Sequence, residues 1–288
     1  MISALTDFIA RHENIFVLTG AGISTASGIP DYRDENGDWK HQRPMEYRDF
    51  VSSQRSRQRY WARSFIGWQR FQQARPNPAH IALACLERQG RLALTVTQNV
   101  DGLQQRAGSR QVTELHGSLA SVECLDCATV TTRATLQQRL RDSNPLLVHQ
   151  SAQLAPDGDA ILNAFDETDV LVPGCKTCGG ILKPAVVFFG EAVPIPRVEQ
   201  CYAALEQADA VLVVGSSLMV YSGFRFVRAA AARGLPIAAI NRGKTRADDL
   251  FALKIEDDCA RALSAVAAVV RPKPSTQTET AAPLRGSA

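Results

Sequence analysis

His116 stands in the stretch 113–127, T-E-L-H-G-S-L-A-S-V-E-C-L-D-C, between an apolar residue and Gly117-Ser118. A histidine on such a turn can take up and return a proton near neutral pH, better than any other side chain. Shortly after it, Cys124-x-x-Cys127 forms half of a set that Cys175-x-x-Cys178 completes. Two C-x-x-C pairs suit a tetrahedral zinc ion held by four thiolates, closed to reactants and therefore structural. Two independent redox pairs are the competing reading. Amide and carboxylate groups follow a separate apolar run, at Gln98, Asn99 and Asp101, and could bond ribose hydroxyls and a carboxamide. Small-residue loops at 19–24 and 215–217 are of the kind that admits phosphate to the main chain.

Holding these groups together requires a sheet. Ile15-Phe16-Val17-Leu18 breaks into Thr19-Gly20-Ala21-Gly22-Ile23-Ser24, the strand–turn–helix opening of a nucleotide-binding βαβ unit. Gly20 and Gly22 are expected to bring backbone amides up to a pyrophosphate. Ser24 adds a hydroxyl and the helix start adds its positive end. Thr25 occupies the third glycine position of G-x-G-x-x-G, so a plain tight turn competes with a phosphate loop. Pro30 leaves little room for a long first helix. The polar segment after it reads as a lid, with Arg33 as an anion contact and Tyr32 as a ring cover, or else as a solvated loop.

Further strands are expected at 92–97, 182–191, 208–214 and 236–240, with a short extended segment at 112–115 leading to His116. Residues just past the carboxyl ends of parallel strands face the ligand crevice. Helical spacing covers 2–12, 46–73, 79–89 and 257–270. In the second of these, Tyr60, Trp61, Phe65, Trp68 and Phe71 read as core rather than as a nucleic-acid surface. His80 and Cys85 in the third read as packing or capping groups.

The fold class is therefore α/β. A Rossmann-like, doubly wound parallel sheet is expected over 1–122 and 181–270, with a small helical insert within 35–75. A zinc-binding module takes 123–180, including helical sequence at 135–141 and a turn-rich patch at 155–159. The tail, 271–288, is Pro/Ser/Thr/Gln-rich and expected to be disordered. A chain of 288 residues, 45% hydrophobic, can bury a full core plus a satellite. A net charge of +3 makes no case for nucleic-acid binding. No run approaches the roughly 20 apolar residues of a membrane span, and the N-terminus lacks a secretion signal. With seven cysteines, four of them in the two pairs, a reducing compartment is expected, hence the cytoplasm; a monomer is expected, though nothing in the sequence bears on oligomeric state.

Taken in order, seven blocks resemble the sirtuins, NAD-dependent protein-lysine deacylases. They are G-A-G-I-S-T-A-S-G-I-P-D-Y-R (20–33), T-Q-N-V-D-G-L (97–103), E-L-H-G-S (114–118), the cysteine pairs, K-P-A-V-V-F-F-G-E (183–191), V-G-S-S-L (214–218) and I-N-R-G (240–243). The resemblance covers about 12–268. The P-D-Y-R form, the long insert and V-Y-S-G (220–223) resemble the class II branch.

The resemblance implies NAD contacts at Gly20, Ala21, Gly22, Ser24, Asp31, Tyr32, Arg33, Gln98, Asn99 and Asp101. It adds Gly215, Ser216, Ser217, Asn241, Arg242, Gly243 and Cys259. It also implies that Val187, Phe188, Phe189, Gly190 and Glu191 bind an acyl-lysine peptide in the cleft between the domains. Structural zinc goes to Cys124, Cys127, Cys175 and Cys178. Asn99 and Asp101 would orient the nicotinamide end while the acyl oxygen attacks the ribose, giving an O-alkylimidate. His116 would then take a ribose proton, yielding lysine, nicotinamide and 2′-O-acyl-ADP-ribose.

Mono-ADP-ribosyl transfer and long-chain or lipoyl deacylation remain open on the same site. Acyl preference is open too: no Tyr-x-x-Arg pair lies between Gly37 and Glu46, although Lys40, His41 and Arg43 leave basic charge there. A different class of protein, a zinc-ribbon binding module on a catalytically silent Rossmann domain, is the remaining alternative.

Overall fold

The apolar runs become strands of two unlike sheets. The computed structural model describes residues 2–40, 43–149, 153–154, 157–161 and 169–270. Its strands are β1 (Ile15–Thr19), β2 (Leu92–Thr97), β3 (Val112–Glu114), β4 (Gly117–Cys124), β5 (Val130–Thr132), β6 (Gln153–Leu154), β7 (Ala160–Ile161), β8 (Leu182–Val186), β9 (Ala210–Val214), β10 (Ile237–Ile240) and β11 (Leu253–Ile255). Its helices are α1 (Ile2–Arg11), α2 (Tyr47–Ser52), α3 (Gln54–Gln73), α4 (Pro78–Arg88), α5 (Leu103–Arg106), α6 (Arg133–Ser143), α7 (Ile195–Glu206), α8 (Tyr221–Ala232) and α9 (Cys259–Ala267). Among the described residues no helix is long and apolar enough to cross a membrane.

The large sheet is parallel, in the order β11-β10-β9-β1-β2-β3. That is the doubly wound order of dinucleotide-binding folds, and its strand order reverses between β1 and β9. Both faces are covered, so alternate side chains of one strand enter different cores. Ile15 and Val17 pack with Leu5, Leu83 and Leu263 of α1, α4 and α9. Phe16 and Leu18 pack with Leu205 and Phe226 of α7 and α8 on the other side.

The second sheet is antiparallel, β5-β4-β8. The run at 182–191 was expected to resume the main sheet; instead only Leu182–Val186 is strand, and it pairs with β4. An apolar run looks alike whichever sheet buries it. Here the burial comes from the aromatic helix α3, whose Trp61 is fully enclosed and donates its Nε1–H to Leu182 O at 3.2 Å. Tyr60, Phe65 and Phe71 are buried in the same cluster, so the aromatic helix is core. Arg133 of α6 lies buried between Trp61 and Trp68, with Nη2 on Ser64 O.

Three local expectations change. The region after β1 forms two 3₁₀ turns, Ala21–Ile23 and Thr25–Ser27, so no α-helix dipole points at the loop. The helical stretch 46–73 breaks at Ser53, whose hydroxyl caps α3 by accepting from Ser56 N. Helices α7 and α8 and the short strand β11 fall where no element was expected. His41, residues 155–156 and the tail 271–288 lie outside the described residues.

Candidate active site

The carboxyl ends of β1 and β9 meet at the strand-order reversal. Gly20 N–H donates to Val214 O at 3.0 Å and Gly22 N–H to Gly215 O at 2.8 Å. A side-chain carbon on Gly22 would lie 2.9 Å from Gly215 Cα; one on Gly215 (φ +62) would lie 2.3 Å from Ile23 N. These glycines therefore let two loops interlock. The Gly20 and Gly22 N–H groups are themselves bonded to main chain, so their own amides join the two loops.

Above this crossing lies a polar network. Ser24, almost fully buried, donates its hydroxyl to Asp101 Oδ2 at 2.7 Å. It accepts from Asn99 Nδ2 at 3.0 Å, and that amide also donates to Gly20 O at 3.1 Å. Leu103 N–H holds the other carboxylate oxygen of Asp101 at 2.9 Å. Gln98 Oε1 accepts from the Ser216 hydroxyl at 2.6 Å, tying the end of β2 to the loop after β9. The amide and carboxylate groups of Asn99 and Asp101 are thus held by protein partners.

His116 follows β3, and its Nδ1 lies 2.9 Å from Gln98 O. A carbonyl only accepts, so this contact puts the neutral ring's proton on Nδ1 and its lone pair on Nε2. Burial pushes the imidazole down to about 4; the Gln98 carbonyl opposes the shift and Arg197 adds to it. The ring is neutral at pH 7 and able to accept a proton.

These groups share one cavity of about 530 Å³, within the range of small-molecule and cofactor sites. The first loop contributes Gly20, Ala21, Gly22 and Ser24, and the segment after Pro30 contributes Asp31, Tyr32 and Arg33. Gln98, Asn99, Asp101 and His116 line it from the ends of β2 and β3. Gly215, Ser216, Ser217, Asn241 and Arg242 line it from beyond β9 and β10. Val187, Phe188, Phe189, Gly190 and Glu191 form the opposite wall. Gly243 and Cys259 are not part of the lining. Gly243 sits against Glu35, where a side-chain carbon would be 2.5 Å from Glu35 Cα. Cys259 is buried at the start of α9, its thiol pushed up to about 12 by burial.

The Sir2 family pattern covers residues 20–222 of the chain. The chain belongs to the Sir2 family. It is 57% identical over 261 residues to "NAD-dependent protein deacetylase 2" of Bradyrhizobium diazoefficiens, covering 91% of this chain and 96% of the relative. It is 48% identical over 265 residues to the bovine "NAD-dependent protein lipoamidase sirtuin-4, mitochondrial", covering 91% and 84%. Its fold matches that of a Sir2 in complex with a p53 peptide and NAD+, with a TM-score of 0.73, 29% identity and 91% and 95% of the two chains covered.

In this sirtuin the four paired cysteines converge. Their Sγ atoms all lie within 4.8 Å of one another, with Cys124–Cys178 at 3.5 Å and Cys127–Cys175 at 3.7 Å. Zinc–thiolate bonds of about 2.3 Å in a tetrahedron require sulfurs about 3.8 Å apart. The donor set fits zinc, and four protein ligands leave no open position. Cys124 ends β4, the strand that starts next to His116.

The Val187–Glu191 wall is held from several sides. Val187 N–H donates to His116 O at 2.8 Å, Tyr47 N–H to Phe189 O at 2.8 Å, and Phe188 N–H to Glu191 Oε2 at 2.8 Å. Buried Lys183 pairs with Glu123 at 3.0 Å and Glu191 at 3.4 Å. In the segment after Pro30, Asp31 pairs with Lys40 at 2.6 Å. Arg33 lies over the Trp39 ring at 4.1 Å and donates to Gly37 O at 2.6 Å.

Three cavity-side groups escaped the sequence reading. His80 does cap α4, accepting at Nδ1 from Asn77 N–H, but its Nε2 also lies 3.5 Å from Ser24 Oγ, below Asp101. Asp157 enters the cavity beside Tyr60 and Phe71, with burial raising its carboxyl above the usual range and Arg63 opposing that shift. Ser222 meets His116. Only the block V-Y-S-G hinted at the last, and it carries no chemical signature.

Proposed function

We propose that this chain is an NAD-dependent protein-lysine deacetylase whose general base is His116. One observation carries the reading: a neutral imidazole with its lone pair on Nε2 opens on the same cavity as the Ser24–Asn99–Asp101 network. The names of close relatives support it. When bound, NAD supplies a ribose carbon made electrophilic by its nicotinamide leaving group. Asn99 and Asp101 hold the nicotinamide and its ribose. Ala21, Ser24, Tyr32, Arg33, Ser216, Ser217, Asn241 and Arg242, which line the same cavity, would contact the rest of the cofactor. His116 Nε2 removes a ribose proton. Val187 to Glu191 carry the acylated lysine of a protein substrate. Zinc on Cys124, Cys127, Cys175 and Cys178 stiffens the small unit and takes no part in the chemistry.

A second reading, removal of lipoyl groups, is favoured by the 48% identity to the bovine lipoamidase and by the extension of the cavity to Phe71 and Leu119. Both readings share every residue above. The test is incubation of wild type and His116→Ala with NAD and acetyl- or lipoyl-lysine peptides. Wild type should release nicotinamide and free lysine, and the variant should bind NAD yet lose turnover by on the order of a hundredfold or more. Equal turnover by the two proteins overturns the base assignment. Absence of nicotinamide release by wild type on both peptides overturns the function.

A further inference from the structure

The two nitrogens of His116 are held differently. Nδ1–H is fixed on Gln98 O, and among the described residues the polar partner of Nε2 is the Ser222 hydroxyl, 2.7 Å away. With the lone pair on Nε2, Ser222 is the donor of that bond. Ser222 lies in the first turn of α8, which is pressed against the end of β2. A side-chain carbon on the next residue, Gly223, would sit 2.6 Å from Gln98 Nε2. Gln98 is itself held by Ser216. The serine, the ring and the carbonyl behind the ring are therefore one packed unit.

We propose that Ser222 passes the proton between the cavity and His116, its hydroxyl donating to the Nε2 lone pair while the ring is neutral and accepting the Nε2–H bond once the ring has gained a proton. A hydroxyl serves both states by rotating about its Cβ–Oγ bond, with no heavy atom moving. The proton balance is simple. A substrate O–H bond breaks and its electron pair stays on that oxygen; its proton passes to Ser222 Oγ while the serine's own proton forms the Nε2–H bond, so the serine ends with the same number of protons. A carboxylate at the same place would hold the ring protonated and remove the base. An apolar group would leave a buried imidazolium with one N–H unbonded, which costs free energy. Burial already disfavours the imidazolium in this pocket, so a neutral partner that stabilises it acts on the form the reaction must reach.

The inference rests on His116 being the base, and the test separates the two. In NAD-free protein labelled with 15N-histidine, Ser222→Ala should shift the His116 Nε2 resonance while leaving Nδ1 in place, and Ser222→Thr should restore it. With NAD and acetyl peptide, exchange of labelled nicotinamide into NAD precedes the base step. Ser222→Ala should lower deacetylation about tenfold, the effect of one lost hydrogen bond, while exchange changes less than about twofold. Ser222→Thr should recover most of the loss. An unmoved Nε2 resonance, equal losses in both reactions, or wild-type deacetylation by Ser222→Ala overturns the inference. Should His116→Ala also keep full deacetylation, the base assignment itself fails.

Discussion

A buried neutral imidazole makes this fold acid-sensitive by a calculable amount. Burial holds His116 at about 4 against 6.5 for an unburied ring, so the unfolded chain binds the proton more tightly than the folded one. The sign follows: this contribution is fully present above about pH 6.5 and is lost as the pH falls towards 4. Between pH 7.5 and pH 5 the linkage is about 2 kcal/mol for this ring, less whatever water in the cavity screens. His80, also held at about 4 by burial, titrates in the same sense, so the wild-type slope alone does not isolate one group. The difference between wild type and His116→Gln does. Urea unfolding of the NAD-free proteins at pH 7.5 and pH 5 should show wild type losing about 2 kcal/mol more than His116→Gln. Equal losses in the two proteins would refute the claim that burial keeps this ring neutral.

Removing zinc should act on one sheet only. With a chelator, or in Cys175→Ser, one metal per chain should be lost, withdrawing on the order of 10 kcal/mol of folding free energy. Hydrogen exchange should then speed up in β4 and β8 while β1 and β9 stay protected; continued protection of β4 without metal contradicts this. Asp157 should bias acyl choice, because a carboxylate in the cavity repels an acidic acyl group. Asp157→Ala should raise kcat/KM on succinyl- and glutaryl-lysine relative to acetyl-lysine by about tenfold. An unchanged ratio across the peptide panel removes Asp157 from acyl selection.

Strands β1, β2, β9 and β10 of the large sheet and the loops beyond them were legible because each is a local pattern, an apolar run ended by small or polar residues. The two cysteine pairs were legible for the same reason. What was missed depends on groups distant in sequence. The Gly20 and Gly22 amides bond to Val214 and Gly215, joining loops far apart in sequence, which no reading of G-A-G alone reveals. The sheet to which Leu182–Val186 belongs is decided by Trp61 and its neighbours on α3, because the run is equally apolar for either sheet. His80 and Ser222 reach their partners across 56 and 106 residues. Strand β11 is only Leu253-Lys254-Ile255, too short for a periodicity and completed by its pairing with β10.

The interlocked loops also bear on biosynthesis. β1, at the centre of the sheet, is made early, yet its partner β9 and the Asn14–Asp209 contact that closes their outer end come from chain 195 residues later. Until Gly215 has been synthesised, the first loop has no surface to lock against and the nucleotide crevice has one wall. A partly made chain therefore exposes one edge of β1, Ile15–Thr19, with its Phe16–Leu18 face not yet covered by α8 and its Ile15–Val17 face still lacking α9. Binding competence arrives late and all at once, and the window before it is when a newly made chain most needs protection from aggregation.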